Sequence, residues 1–259
     1  MKRVHKISLA VVTAGLLFFV MFCWMPSGVP VLAYHMVGAE EEELYSVSPA
    51  EFDRQLAYLK ENGYTAVSLQ EMFSGFAGTT VLPTKPVIIT FDDGYRDNYL
   101  TALPILEKHG MKATVFVVAG QAGQGEYLSW DQVRALHKRG TEIGSHTMNH
   151  VALSEISPAE QLREAVESKE ILERELGAPV VFLAYPYGKF TTETVAVLQA
   201  AGYHGACSGI PGLNAPDTSR YSLKRVNVPK PRLGLWEFKI RLLRAKIVFG
   251  FELLENRLR

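Results

Sequence analysis

Two carboxylates stand side by side at Asp92 and Asp93, within Thr90-Phe91-Asp92-Asp93-Gly94. Two histidines stand four apart at His146 and His150, within Ser145-His146-Thr147-Met148-Asn149-His150. Alone, an Asp-Asp-Gly is most often a turn with a cap, and a His-x-x-x-His is usually ordinary surface or core. Together they make a chemical set. Two imidazoles and a carboxylate with an open fourth position are a common catalytic zinc arrangement. A second carboxylate beside the ligand is what a general base needs to deprotonate an activated water. Tyr185-Pro186-Tyr187-Gly188 and Tyr34-His35 are two further polar groups of the same kind. With only Cys23 and Cys207 in the chain, neither a disulfide framework nor a cysteine metal cluster is available, so a metal site must be built from His and carboxylate.

Each of these groups follows a short strand-like run. Residues 29–34, 86–91, 141–145 and 180–184 read as strands, and 113–118, 203–208 and 222–228 add three more. Helices alternate with them. Ser48-Pro49-Ala50-Glu51, Ser129-Trp130-Asp131-Gln132 and Ser157-Pro158-Ala159-Glu160 each read as a capping box. Helices are also predicted over 98–109 and 192–201, and Gly63, Gly110, Gly140, Gly177 and Gly202 stop the series in turn. Buried parallel strands with crossover helices are the physical reading. The predicted fold class is α/β, an irregular (β/α) barrel of about seven units, with a doubly wound open sheet as the alternative. In α/β barrels the C-terminal strand ends carry the chemistry.

Composition excludes several classes. The chain has 259 residues, with 27 Lys+Arg balancing 27 Asp+Glu, so it lacks the basic excess of a nucleic-acid binder. A hydrophobic fraction of 47% excludes a disordered chain. No G-x-G-x-x-G or Walker loop appears, so no nucleotide is expected.

The order T-F-D-D-G, S-H-T-x-x-H, Y-P-Y-G resembles the polysaccharide deacetylases of carbohydrate esterase family four, over roughly residues 29–231. The opening V-L-A-Y-H, followed by S-P-A-E-F-D-R-Q-L-A-Y-L-K-E-N-G-Y, resembles the branch containing the poly-N-acetylglucosamine deacetylases. The resemblance implies a metal-dependent hydrolase removing acetyl groups from N-acetylated sugar polymers. By position, Asp93, His146 and His150 correspond to the ligands of a divalent metal, zinc by preference, and Asp92 to the base. Tyr185, Pro186 and Tyr187 are expected on the substrate, with a backbone N–H near Tyr187 facing the oxyanion. The family's third motif begins with an arginine that pairs with the catalytic Asp, and Ala184 stands there in this chain. Arg225 is the expected substitute, grouped with the substrate-side residues; the alternative is a surface strand arginine. The family's late Leu-x-His, which supplies the acid, is also absent, while the early Leu32-Ala33-Tyr34-His35 has similar character. The expectation is a circular permutation with His35 as general acid, against an alternative in which His35 only orients Asp92. A glycan-binding protein without catalysis and an O-acetyl sugar esterase remain the competing functions.

The termini read differently from the centre. Residues 1–27 open with Lys2, Arg3 and Lys6, then run uncharged from Ile7 to Met25, 19 residues, close to the ~20 a helix needs to cross a bilayer. An uncleaved transmembrane signal anchor is expected, placing the catalytic domain, residues 28–232, outside the cytoplasm at the cell membrane. Residues 233–259 read as a basic amphipathic helix, packed on the barrel or lying on anionic lipid. Glu40 to Glu43 form an acidic loop, and Trp130, His109, His137 and His204 are expected to be structural.

Overall fold

The computed structural model describes residues 28–38 and 44–258, with side chains to residue 255. The predicted anchor and the Glu40–Glu43 loop lie outside the described residues. Among the described residues, no helix is long and apolar enough to cross a membrane.

The strands are β1 (Val31–Tyr34), β2 (Thr65–Ala66), β3 (Pro86–Phe91), β4 (Thr114–Val117), β5 (Glu142–Ser145), β6 (Phe182–Ala184), β7 (Gly205–Pro211) and β8 (Leu223–Asn227). Every pairing among them is parallel. β3 to β8 pair in sequence order, and β1 closes the ring by pairing with β3 on one side and β8 on the other. Seven strands therefore form a closed barrel, and the two-residue β2 hangs outside it on the start of β3. The open-sheet alternative fails because β1 has a partner on both edges.

The helices are α1 (Pro49–Glu61), α2 (Leu69–Phe76), α3 (Leu103–His109), α4 (Trp130–Lys138), α5 (Pro158–Leu176), α6 (Thr192–Ala200) and α7 (Leu235–Leu258). The boxes at Ser129/Gln132 and Ser157/Glu160 close as predicted. The box at Ser48 does not. Ser48 accepts from the Glu51 N–H, but the Glu51 carboxylate turns to Arg54 and Gln55 instead. Helix α2 and its own box, Ser68 with Glu71, fill the stretch between Gly63 and Pro86, which the sequence reading left without an element. Gly110 and Gly177 end α3 and α5 at φ 65° each, a left-handed conformation that a Cβ disfavours.

Alternation along the strands divides the core in two. Val31, Ile88, Phe116, Phe182, Ala184, Cys207 and Leu223 pack together, while Leu32, Tyr34, Ile89, Phe91 and Val115 pack with helix residues such as Phe52, Leu56 and Leu106. Neighbouring residues in β1 and β3 fall in opposite groups, so the first group fills the lumen and the second lies under the helices. Gly144 in β5 makes room for the Phe116 ring, where an added Cβ would collide. His204, expected to pack within a strand, is exposed just before β7. Strand β7 starts two residues later than predicted, so His204 never enters the alternation.

Candidate active site

Parallel strands point every C-terminus the same way, so residues far apart in sequence meet at one end of the barrel. Asp92 and Asp93 follow β3, His146 and His150 follow β5, Tyr187 follows β6 and His35 follows β1. Arg225 lies within β8. A cavity of about 230 Å³ is lined by His35, Tyr45, Asp92, Asp93, His146, His150, Tyr187 and Arg225, among others.

The three expected metal ligands converge. Asp93 Oδ1 lies 3.3 Å from His146 Nε2 and 3.2 Å from His150 Nε2. The same oxygen is buried and makes no hydrogen bond. Donors held tetrahedrally at about 2.0–2.1 Å from an ion stand about 3.3 Å from one another, so the spacing suits a shared cation better than direct pairing. His146 Nδ1 is 2.8 Å from the Ala184 carbonyl oxygen. A carbonyl only accepts, so Nδ1 carries the proton and Nε2 keeps its lone pair toward Asp93. Backbone support of this kind fixes the tautomer of a ligating histidine. The residues present therefore fit a divalent ion.

Asp92 is buried, and Arg225 Nη1 donates to its Oδ1 at 2.8 Å. Burial works to raise the Asp92 pKa, but the Arg225 charge, with His146 and His35 behind it, holds the carboxyl below the ordinary range. For Asp93, burial is again opposed, here by His146 and His150, and the carboxyl is held far down. Both carboxylates are thus ionised at neutral pH. Burial lowers the His35 pKa, with Asp92 and Asp93 pulling the other way. Its ring packs on Tyr45 with centroids 4.7 Å apart, and its carbonyl accepts from Asn98 Nδ2 at 2.9 Å.

Three substrate-side expectations need correction. Tyr185 is fully buried, stacked on Phe190 at 4.8 Å, with its hydroxyl donating to the Tyr221 carbonyl. Pro186 is also buried. Tyr185 packs with Leu183, Leu198 and Tyr203 on the helix side of β6, and only the next turn reaches the cavity. Tyr187 does reach it, 67% exposed, with its ring 4.9 Å from that of His150. Arg225, grouped with the substrate-side residues, is instead buried at 5% exposure and is spent on Asp92 and the Ser208 carbonyl. It supplies from β8 the charge that an arginine at position 184 would supply.

Strain concentrates here. Among the described residues, the non-glycine positions with positive φ are Asp93 (70°), Thr147 (67°), His150 (56°) and Tyr187 (58°). Such conformations cost of order 1–3 kcal/mol each and persist where surroundings over-determine them. The determining groups around the histidine loop are visible. The Glu164 carboxylate on α5 accepts from the N–H groups of Met148 and Asn149 at 3.0 and 2.9 Å and from Asn149 Nδ2 at 2.7 Å. Ser145 Oγ accepts from the Thr147 N–H, and Thr147 Oγ1 from the His150 N–H. Sequence reasoning missed Glu164, although a signal existed: it shares the inward face of α5 with Ala165, Ser168 and Leu172, where a charge is out of place. Tyr45 was missed as well.

Comparison with known proteins agrees with this geometry. The profile of the polysaccharide deacetylase family matches residues 80–206. The protein YxkH of Bacillus subtilis (strain 168), named as a polysaccharide deacetylase, is 32% identical over 203 residues, covering 78% of this chain and 72% of that one. The poly-beta-1,6-N-acetyl-D-glucosamine N-deacetylase of Staphylococcus aureus (strain MRSA252) is 26% identical over 207 residues, covering 74% and 71%. The solved deacetylase PplD of Streptococcus pyogenes, in complex with acetate, superposes with a TM-score of 0.77 at 28% identity, over 86% of this chain and 99% of that one. With a relative 32% identical over most of both chains and a solved deacetylase of the same fold, this protein belongs to the polysaccharide deacetylase family, hydrolases of carbon–nitrogen bonds in sugar polymers.

Proposed function

We propose that the chain removes N-acetyl groups from an N-acetylglucosamine-containing polysaccharide outside the cytoplasm, using a divalent cation, zinc by preference, held by Asp93, His146 and His150. The observation that carries the reading is an ionised, buried Asp92 pinned by Arg225 beside three converging donors whose shared oxygen lacks a hydrogen bond. A cation there polarises an acyl oxygen and draws the pKa of water toward ~7. Asp92 accepts the proton of the attacking water, with Arg225 fixing its position and charge. His35, on the strand next to the one that bears Asp92, protonates the amide nitrogen, so that the C–N bond breaks to acetate and a free amine. Tyr187 offers its exposed ring to a sugar face, and the turn it occupies brings backbone N–H groups toward the acyl oxygen.

The strand order supports a circular permutation as the origin of His35. β1 lies between β3, which bears the aspartates, and β8, which bears Arg225. Both His35 and Arg225 fall outside the matched residues 80–206. A strand moved from the end of a chain to its start keeps its place in a closed ring. In the same reading residues 1–27 anchor the domain in the cell membrane with residues 28–258 on the outer side, as their basic start and uncharged run support.

Incubating the protein with N-acetylated and with O-acetylated oligosaccharides, and measuring acetate and new amine, tests the reading. Acetate with equimolar amine from the N-acetylated sugar is expected. Acetate from the O-acetylated sugar alone would make the protein an esterase. Glycan retention without acetate would make it a binding protein.

A further inference from the structure

Helix α7 carries apolar residues on two opposite faces. Phe238, Leu242, Ala245 and Phe249 are buried against the rest of the core, with the Phe238 ring edge-on to Tyr58 of α1. Trp236, Ile240, Leu243, Phe251 and Leu254 are exposed by 70, 51, 47, 56 and 36%. At 3.6 residues per turn these five fall on one stripe, about 27 Å long, on the side away from the barrel. Scattered exposed leucines are ordinary, whereas a continuous apolar stripe marks a surface that meets something.

Charge along the stripe is one-sided. Glu237 is taken up by Arg241 and by the Arg232 N–H, and Glu252 by Lys224. Glu255 stands at the far end. Lys239 sits 5.4 Å from the Trp236 ring and 4.8 Å from the Tyr58 ring; Arg232 is exposed, and Arg244 is exposed at the rim of the groove between α7 and β8. The chain also enters the fold here. Gly28 approaches α7 so closely that a Cβ on it would lie 2.9 Å from the Phe249 ring.

We infer that the outer face of α7 lies on a bilayer rich in anionic phospholipid, with the stripe at the acyl boundary and Lys239 and Arg244 among the headgroups. A Trp with a neighbouring cation at the edge of an apolar stripe suits the interface between headgroups and acyl chains. Anionic lipid complements these cations. A second copy docked two-fold about the middle of the stripe would instead bring Arg244 toward its own equivalent. The inference is independent of the reaction catalysed at the other side of β8.

The test follows Trp236 in the full chain. The emission of the Trp236→Phe protein, subtracted from that of the unchanged protein, isolates Trp236 from Trp24 and Trp130 without altering either. Both proteins are reconstituted in vesicles of brominated phosphatidylcholine, with and without phosphatidylglycerol. The readout is the environment of Trp236 and not total binding, because the proposed N-terminal anchor would hold the chain on both kinds of vesicle. Expected is a blue-shifted Trp236 signal that brominated chains quench at least twofold more with phosphatidylglycerol present. High salt, or Lys239→Glu with Arg244→Glu, should remove that difference. A Trp236 signal open to aqueous acrylamide and untouched by bromine would overturn the inference. So would a signal shielded from both quenchers, which would assign the stripe to a second copy or to the chain's own N-terminal run.

Discussion

Asp92 and Arg225 are separated by 133 positions and form one buried ion pair. Removing one partner of such a pair leaves a charge without compensation, at about 3–5 kcal/mol. Arg225→Met should therefore lower the unfolding midpoint in urea and also change the pH dependence. With Arg225 present, the Asp92 pKa lies below the ordinary value of about 3.9. Its stabilising contribution is complete above that ordinary value and is lost as pH falls through the lower folded value. Without Arg225, burial dominates, so the acidic limb of kcat/KM should move to higher pH. An unmoved limb would separate Arg225 from the base. Asp92→Asn should keep its metal, by elemental analysis, and lose turnover. His146→Ala and His150→Ala should lose the metal too, and stoichiometric zinc in either would overturn the ligand assignment. His35→Ala should lower kcat about 10²–10⁴-fold with metal retained. That loss should be far smaller on aryl acetates, whose leaving groups need no proton. Equal losses on both substrates would leave His35 an orienting role.

At the scale of elements, the α5 helix holds the histidine loop from outside the cavity. Glu164→Ala should weaken zinc binding by about 10–100-fold in a competition titration, with Glu164→Gln in between, since an amide oxygen still accepts. Unchanged affinity in Glu164→Ala would reduce Glu164 to a packing residue. In the lumen, Gly144→Ala should cost about 1–3 kcal/mol by overpacking, and a second change, Phe116→Leu, should recover part of it. The division between what the sequence disclosed and what it hid follows from range. The aspartates, the histidines and His35 were legible because each group stands just past its own predicted strand. The caps at Ser129 and Ser157 were legible because both partners lie within four residues. The Glu51 carboxylate was misread because Arg54 and Gln55 compete for it. Tyr185 was misread because its burial depends on Phe190 and Tyr221, which no local pattern announces. Helix α2 has only eight residues, too few for periodicity to stand out.

For the whole molecule, closure governs behaviour. β1 is the first strand in the chain, yet it is paired on both sides. Amides of Leu32 to Tyr34 should exchange hydrogen only through global opening, as slowly as those of β4, while Thr65 in β2 exchanges early. Fast exchange in β1 would mean that the ring opens at its seam. Protease added to intact cells should cut the domain if residues 1–27 anchor it outward, and protection of the domain would reverse that orientation. The same closure bears on how the purified protein clumps. Amyloid-like growth needs a strand with a free row of N–H and C=O groups on which another chain can build. A ring of seven strands has no such row, and the short β2 offers little more. Precipitates should accordingly be amorphous, silent to thioflavin and sensitive to salt. Their onset should shift with Ile240→Ser and Leu243→Ser, and should stay put with substitutions at exposed positions of α1 or α6.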